Sequence, residues 1–256
     1  MSLRIDIGWL IAALLVSARV AGATMIAPVL GPTQIPASAR IVLVIGLSAF
    51  MVAALPSVPA SVPTNVFALA AAALSEVVYG LAFAFGFIVA YAATQVAGRA
   101  LDIQVGFGAA AVLNPATRSL SPLLGSMFGM LMIAAFLALD GHLVLIKALA
   151  ASLTLAPPGA ILTELPAAAI LNHSAATFTF GLALAAPVMF MLLLADVAMA
   201  VCARSMPQLN VFVLGFAVKI VLGLTGLALS VRFASAALER LFDASFQYWD
   251  QLASGH

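Results

Sequence analysis

The chain has 256 residues, of which 65% are hydrophobic and 7% are charged. Soluble domains are roughly half apolar and about a quarter charged, so this composition indicates an integral membrane protein or a subunit buried in one. Ten basic and nine acidic residues leave a formal net charge of +1 without a basic cluster, which argues against a nucleic-acid-binding protein.

Residues with the chemistry of catalytic or metal sites are few and scattered. Cys202 is the single cysteine, which excludes an intrachain disulfide and a cysteine-based metal site. His142, His173 and His256 have no metal-ligand spacing, and the sequence contains no GxSxG, HExxH or Walker A motif. The sequence therefore predicts neither an enzyme nor a bound cofactor or metal.

The first apolar element is predicted to be a helix from about Ile7 to Leu30. Its start resembles a secretory signal, but Asp6 and Arg19 argue against cleavage. Two interpretations of Arg19 stay open: its side chain extends to a membrane interface, or it contacts a neighbouring subunit. The prolines of residues 27–40 predict a connector after this helix.

Residues 41–75 carry no charge, and three prolines between positions 56 and 63 divide them. We predict one helix from about Ile41 to Leu55 and a second from Asn65 to about Gly98. Glu76 lies within the second helix. A carboxylate in an apolar helix is costly unless it faces protein or water, so Glu76 is expected to lie near a membrane interface or to point into an assembly, the first being preferred.

The least regular stretch covers residues 95–118. Arg99, Asp102 and Gln104 are clustered there, and glycines on both sides of Phe107 permit backbone conformations that other residues resist. We predict that the helix ends within this stretch. Irregular backbone at membrane depth must face protein or a water-filled cavity, so the segment is either an extramembrane loop or part of a pore, and the residues alone favour the loop.

Ser119 to Leu139 is an uncharged run of 21 residues, which is long enough to cross a membrane. The helix is predicted to continue through Asp140, His142 and Lys147 to the prolines and glycine at 157–159. Asp140 and Lys147 would share a helix face about 10 Å apart, too far for direct contact. His142 is interpreted as a hydrogen-bonded structural residue rather than a proton relay.

Two apolar runs flank a short polar stretch near the end of the chain. The first is predicted to be a helix over Ala175–Ala203, kinked at Pro187 and preceded by a loop that contains His173. Since proline disfavours helical geometry in the residue before it, this helix should stop near Ser205 and the next should start near Pro207. The two helices would form a hairpin with the turn residues Arg204, Pro207, Gln208 and Asn210.

Asp196 lies 11 positions before Pro207, and Lys219 lies 11 positions after Gln208. In antiparallel helices both would lie about 17 Å from the turn, near the middle of a hydrocarbon layer if the turn is at its surface. We predict a buried ion pair between Asp196 and Lys219. The alternative is that each side chain faces a partner subunit or a wet channel.

The tail from Arg232 has a different composition, with charged residues and the aromatic pair Tyr248 and Trp249. It is predicted to be either a solvated terminus, which is preferred, or the end of an amphipathic helix at an interface.

Four blocks of sequence, spread over almost the whole chain, resemble the FliR/SctT family of the flagellar and type III secretion export gate. The last block is the specific one, and it stands in the family's order with the other three. Asn114 and Asp140 depart from the pattern, since many members have Asp at the first position and Asn at the second. The blocks are Arg19 with Ala27-Pro28, Pro36 and Arg40; Gly98 to Asp102, Gln104 to Gly108 and Asn114-Pro115; Leu137 to His142; and Asp196 to Arg204, Pro207 to Phe212, Gly215-Phe216 and Lys219.

The resemblance implies an all-α fold of about six long hydrophobic helices, arranged as polytopic hairpins in one domain over residues 1–256. It also implies a single-copy subunit that joins several FliP-like and FliQ-like subunits, with an FlhB-like partner alongside. Such an assembly lies in the bacterial cell membrane at the flagellar basal body and passes unfolded proteins through a shared pore. In this family the hairpins pack mainly on other subunits, so hydropathy overstates their contact with lipid.

The resemblance further implies that the segment from about Gly106 to Ser121, the plug segment, corresponds to a loop that closes the pore. This places the pore interpretation above the loop interpretation that the residues alone favour. The apolar side chains of Val105, Phe107, Val112 and Leu113 would fill a narrow passage. The candidate plug and gating residues are Gly106, Phe107, Gly108, Val112, Leu113, Asn114 and Pro115.

A second function remains open at this point. Asp196, Lys219 and Asp140, together with the helix breaks, would form a midplane site in a small-solute secondary transporter. Such transporters are commonly built from internal repeats, and this sequence shows none, which argues against the transporter.

Overall fold

The computed structural model describes residues 7–25, 36–54, 63, 65–107, 122–161, 166–205 and 211–254. Over these residues the chain forms seven α-helices and no strand, so the predicted all-α fold is confirmed. The helices are α1 (Ile7–Met25), α2 (Ala37–Ala54), α3 (Val66–Val105), α4 (Leu123–Ala138), α5 (Gly141–Leu155), α6 (Ala167–Ser205) and α7 (Val211–Ser254).

Four of the described helices, α1, α2, α3 and α6, are long and apolar enough to cross a membrane. The bent pair formed by α4 and α5 would add a fifth span if the two cross together. The apolar part of α7, Leu214–Leu229, is shorter than these spans. The six predicted helices are therefore present, the fourth of them as the broken pair α4 and α5, and by length and composition four of the described helices, or five with that pair, could cross a membrane.

Two helices begin directly after a proline, earlier in the chain than predicted. The N–H of Arg40 donates to the carbonyl of Pro36, and the N–H of Ile170 donates to the carbonyl of Pro166, both at 3.2 Å. A proline at a helix start loses nothing, since the N–H that it lacks would have no partner there. Residues 37–40 are thus helical rather than part of the connector, and α6 begins eight residues before the predicted Ala175.

Helix α3 ends at Val105, within the irregular stretch as predicted, but seven residues beyond the predicted end near Gly98. Polar side chains near the end of α3 have hydrogen-bond partners within the protein, so the helix can continue past them. The Gln95 amide donates to the Tyr91 hydroxyl at 3.0 Å, and the Gln104 amide donates to the carbonyl of Met189 at 3.0 Å. The helix ends at Gly106, whose φ of 98° is a conformation that glycine adopts without strain.

The predicted fourth helix is instead two helices, separated by Leu139 and Asp140. Asp140 has a φ of 53° in the left-handed region, which aspartate tolerates better than most residues. Its carbonyl accepts the N–H of Leu143 at 2.9 Å and so starts α5. Asp140 and Lys147 are both exposed, and the Asp140 side chain makes no capping hydrogen bond.

The chain divides into two compact units. The first consists of Met1–Val89, Leu137–Ser174 and Ala244–His256, and the second consists of Ala90–Phe136 and Ala175–Asp243. In the second unit, α3, α4 and α6 bury a continuous apolar core. Its members are Ala97, Leu101, Val105, Leu124, Phe128, Leu184, Ala185, Val188 and Leu192.

In the first unit, α1 packs against α2 and also approaches α3 closely. A Cβ atom on Gly80 would lie 2.9 Å from the Cα of Gly22 and would collide with the backbone oxygen of Arg19. Only glycine fits at this crossing, since real Cβ atoms do not approach other atoms so closely.

The end of α7 is buried in the first unit, which corrects the preferred prediction of a solvated terminus. Among the described residues, Tyr248 and Trp249 are two of the largest side chains that are fully buried. The indole N–H of Trp249 donates to the carbonyl of Phe83 at 2.8 Å, and the Tyr248 hydroxyl donates to the carbonyl of Ala82 at 3.0 Å. Burial raises the pKa of Tyr248, so its phenol stays neutral and keeps the proton that it donates.

Candidate functional site

The structure describes only the first two of the candidate plug residues. Gly106 turns the chain at the end of α3, and Phe107 packs against the core of the second unit. Val105 is buried inside that core, so the expectation that it fills a passage is wrong. The remaining candidates, Gly108, Val112, Leu113, Asn114 and Pro115, lie outside the described residues.

The structure brings Asp196 of α6 and Lys219 of α7 together. The Lys219 ammonium and the Asp196 carboxylate form an ion pair within the second unit. Their side chains are 25% and 39% exposed, respectively, in this chain by itself, and the burial of the pair in an assembly stays a prediction. Its role in setting the register of the two helices stays a prediction.

The hairpin turn is described on one side only. Helix α6 ends at Ser205, where proline was expected to stop it, and Arg204 is an exposed basic residue in its last turn. A cation is favourable there, because the carboxyl end of a helix carries a partial negative charge. Pro207, Gln208 and Asn210 lie outside the described residues.

The first unit contains a buried ion pair that was not predicted from the sequence. Arg19 of α1 and Glu76 of α3 are 1% and 0% exposed, and the Arg19 Nε donates to Glu76 Oε2 at 2.6 Å. Both interpretations of Arg19 are therefore wrong, and Glu76 points into its own chain rather than into an assembly, since each residue is the other's partner. The position of Glu76 near a membrane interface stays a prediction. The available signal was a single cation in α1 and a single carboxylate, Glu76, in the long stretch of α3 before Arg99 that carries no other charge.

The Arg19–Glu76 pair is part of a larger hydrogen-bond network. Arg19 also donates to the Ser152 hydroxyl and to the carbonyl of Ala156, both at 2.9 Å, and its guanidinium lies 4.8 Å from the ring centroid of Tyr79. The second Glu76 oxygen accepts the N–H of Gly159 at 3.2 Å. The network therefore connects α1, α3 and the end of α5, and it satisfies the buried charges within the first unit.

His173 lies in helix α6 and is buried, whereas a loop was predicted there. Its Nε2 is 2.9 Å from the carbonyl oxygen of Gly86, and its ring stacks on Tyr248 with centroids 4.6 Å apart. His142 is partly exposed. Among the described residues, no group of three His, Cys, Asp or Glu side chains is arranged to hold a metal ion.

Comparison with known proteins identifies the family. Residues 10–245 match the family of bacterial export proteins, family 1. The chain belongs to this family. It is 30% identical over 230 residues to the flagellar biosynthetic protein FliR of Escherichia coli (strain K12), covering 89% of this chain and 87% of the relative. The identity to FliR of Bacillus subtilis (strain 168) is 27% over 238 residues, with 91% of each chain covered.

A third FliR, from Caulobacter vibrioides, is 28% identical over 220 residues, covering 86% of this chain and 88% of the relative. The resemblance drawn from the four sequence blocks is thus confirmed, and the chain is a member of the FliR family. The family match extends from α1 to α7 and includes residues of both compact units.

Proposed function

We propose that this chain is a subunit of the flagellar (type III) protein export gate. Together with FliP-like and FliQ-like subunits it would form the pore through which unfolded export substrates enter, with an FlhB-like neighbour. Membership of the bacterial export family over residues 10–245 is the observation that carries this proposal. The location would be the bacterial cell membrane at the flagellar basal body, and the role needs no catalytic residue in this chain.

The apolar surface of the helices supports an assembly in a membrane. Less than half of each of the four candidate spans is buried within the chain, and in α2 the share is 17%. Large side chains such as Val42 and Phe50 of α2, and Phe190 of α6, are more than half exposed. Such surfaces must be covered by lipid or by other subunits, since an apolar patch of this extent is unstable in water.

The Asp196–Lys219 pair supports contact with other subunits in particular. Both side chains are partly exposed on a hairpin of apolar helices. Charges in contact with hydrocarbon are costly even when paired, so this surface is expected to face protein or water rather than lipid. The pairing also leaves neither charge uncompensated, which weakens the case for a transporter that would use both residues with Asp140.

We further propose that the plug segment closes the pore at rest. The chain turns out of α3 at Gly106, which has a positive φ. A residue with a side chain would be strained in this backbone conformation. The segment also contains Val112 and Leu113, and apolar side chains can exclude water and ions from a narrow passage.

Co-expression with the partners tests the assembly. The chain is expected to remain in a stable complex with FliP-like and FliQ-like subunits through purification in mild detergent, and native mass spectrometry gives its composition. Expression of the chain without those partners is the control. A monomer or homodimer alone, when all partners are present, would refute the assembly.

Deletion of about Gly108 to Thr117 tests the closing role. Cells that express the full assembly with this deletion are expected to leak small solutes or ions, because the passage loses its apolar filling. The control is the undeleted assembly at the same expression level. If the deletion blocks export without any leak, and the complex still forms, the plug segment does not close the pore.

A further inference from the structure

Helix α2 is the least buried of the four candidate spans. The buried share is 17% in α2, compared with 44% in α1 and 33% in α3. Its buried side chains, Val44, Ser48 and Met51, recur every three or four residues and therefore form one narrow stripe. A helix that is apolar on all sides must be covered by protein or lipid. The large apolar side chains exposed around the rest of α2 are Ile41, Val42, Leu43, Ile45 and Phe50.

The polar groups of α2 are distributed as lipid contact requires. Ser48 is the only polar residue between Ile41 and Ala54, and its hydroxyl donates to the carbonyl of Val44 at 2.6 Å. This hydroxyl therefore needs no partner from another molecule. The hairpin of α6 and α7 differs, because it carries the partly exposed charges of Asp196 and Lys219. Charges in contact with hydrocarbon are costly, and this part of α2 has none.

Arg40 is the only charged residue of α2, and it lies in the first turn of the helix. Its side chain is partly buried, and its Nε is buried without a hydrogen-bond partner among the described residues. Neither of the two ion pairs in the described part of the chain includes it. A cation in the first turn is disfavoured by the positive end of the helix dipole, so Arg40 does not stabilise α2 by itself. An anion from outside the chain would compensate its charge.

A phospholipid supplies both an anion and an apolar surface. The stem of an arginine side chain packs along apolar groups while its charged end extends to the membrane surface, and the guanidinium forms paired hydrogen bonds with phosphate oxygens. The 14 residues from Ile41 to Ala54 cover about 21 Å at 1.5 Å per residue, which fits within a hydrocarbon layer of about 30 Å. The charge at one end of α2 and the apolar surface beyond it thus match the headgroup and the acyl chains.

We propose that α2 is a lipid-contacting surface of this chain and that Arg40 binds the phosphate of an anionic phospholipid at its end. The inference concerns the chain in a membrane and does not depend on the proposed export role. The competing occupant is a helix of another subunit with an acidic side chain opposite Arg40. The experiment below distinguishes the two.

Lipid contact is measured by the quenching of tryptophan fluorescence in vesicles of brominated phosphatidylcholine, since bromine quenches an indole that it touches. Trp9→Phe leaves Trp249, which is fully buried and sets the background. In this chain Phe50→Trp places a reporter at a position that is 69% exposed. We expect quenching above the background both for the chain alone and for the chain co-expressed with its proposed partners. Val197→Trp is the matched control, because it is 57% exposed beside Asp196 and should be quenched less in the assembly.

The role of Arg40 is measured with a reporter one helical turn away, Leu43→Trp, whose position is exposed. Quenching by brominated phosphatidylglycerol, which is anionic, is compared with quenching by brominated phosphatidylcholine. One basic residue near the membrane surface should favour the anionic lipid about fivefold. Arg40→Gln is expected to abolish this preference and to leave quenching by phosphatidylcholine unchanged. Lys147→Gln removes an exposed cation from α5 and should keep the preference.

Each outcome supports or overturns the proposal. Quenching of Phe50→Trp in both preparations, with the anionic preference lost in Arg40→Gln, would support it. Protection of Phe50→Trp to the Trp249 background in the assembly would show that a partner covers α2 and would overturn it, and so would an unchanged preference in Arg40→Gln. Should Arg40→Gln fail to enter vesicles, Arg40→Lys keeps the charge and should keep part of the preference; failure of both would assign Arg40 to folding and overturn its lipid role. Quenching in the chain alone, without any complex forming, would support the lipid contact and refute the proposed assembly.

Discussion

Replacement of Arg19 by methionine is expected to destabilise the chain strongly, because Glu76 would lose its cation while remaining buried. Arg19 and Glu76 are 1% and 0% exposed, and Glu76 would keep a single hydrogen bond, from the N–H of Gly159. Removal of one partner from a buried ion pair typically costs about 3–5 kcal/mol. At about 2–4 °C for each kcal/mol in a chain of this size, the melting midpoint should fall by about 6–20 °C.

Removal of both charges should be less costly than the sum of the single changes. In Arg19→Met with Glu76→Leu, the Ser152 hydroxyl keeps its bond to the carbonyl of Leu149 at 2.7 Å. The carbonyl of Ala156 and the N–H of Gly159 lose their partners, which costs about 1–3 kcal/mol each. The double variant should therefore be more stable than additivity predicts, by about 3 kcal/mol.

The measurement is the temperature at which the full-length chain in mild detergent loses its monodisperse chromatographic peak. Lys147→Met is the matched control, because it removes an exposed cation from α5 in the same unit and should change stability by about 0.5 kcal/mol or less. If Arg19→Met is as stable as Lys147→Met, or if the losses of the single variants add in the double variant, the network does not stabilise the chain as inferred.

Three other predictions use the same kinds of comparison. Asp196→Ala or Lys219→Ala should each lower the yield of intact complex, while Asp196→Leu with Lys219→Met should recover much of it; strictly additive losses would show that the two residues do not interact. Gly80→Ala should lower the melting midpoint because its Cβ would collide with α1, whereas Gly46→Ala, with open space around its Cβ, should be neutral or stabilising. Trp249→Phe should cost about 1 kcal/mol or more in thermal stability through the lost hydrogen bond to α3, and an unchanged midpoint would contradict that role.

The sequence by itself determined the features that depend on local properties of the chain. Long uncharged runs predict membrane-length helices, because hydrophobicity accumulates residue by residue and needs no knowledge of packing. The geometry of proline predicts that this helix ends near Ser205, which is the last residue described in α6. The pairing of Asp196 with Lys219 follows from their equal distances to one turn, since two helices joined by a short turn place such residues side by side.

Only the tertiary structure decided how the polar residues in the apolar helices are satisfied. Arg19 and Glu76 are 57 positions apart, and they meet because α1 and α3 cross closely at two glycines. The polar side chains near the end of α3 suggested a loop, yet the helix continues, because Gln104 and Asp102 bond to the backbone of other helices. A polar group ends a helix or stays within it according to whether a partner lies within hydrogen-bond reach, and that partner is placed by the packing of distant segments.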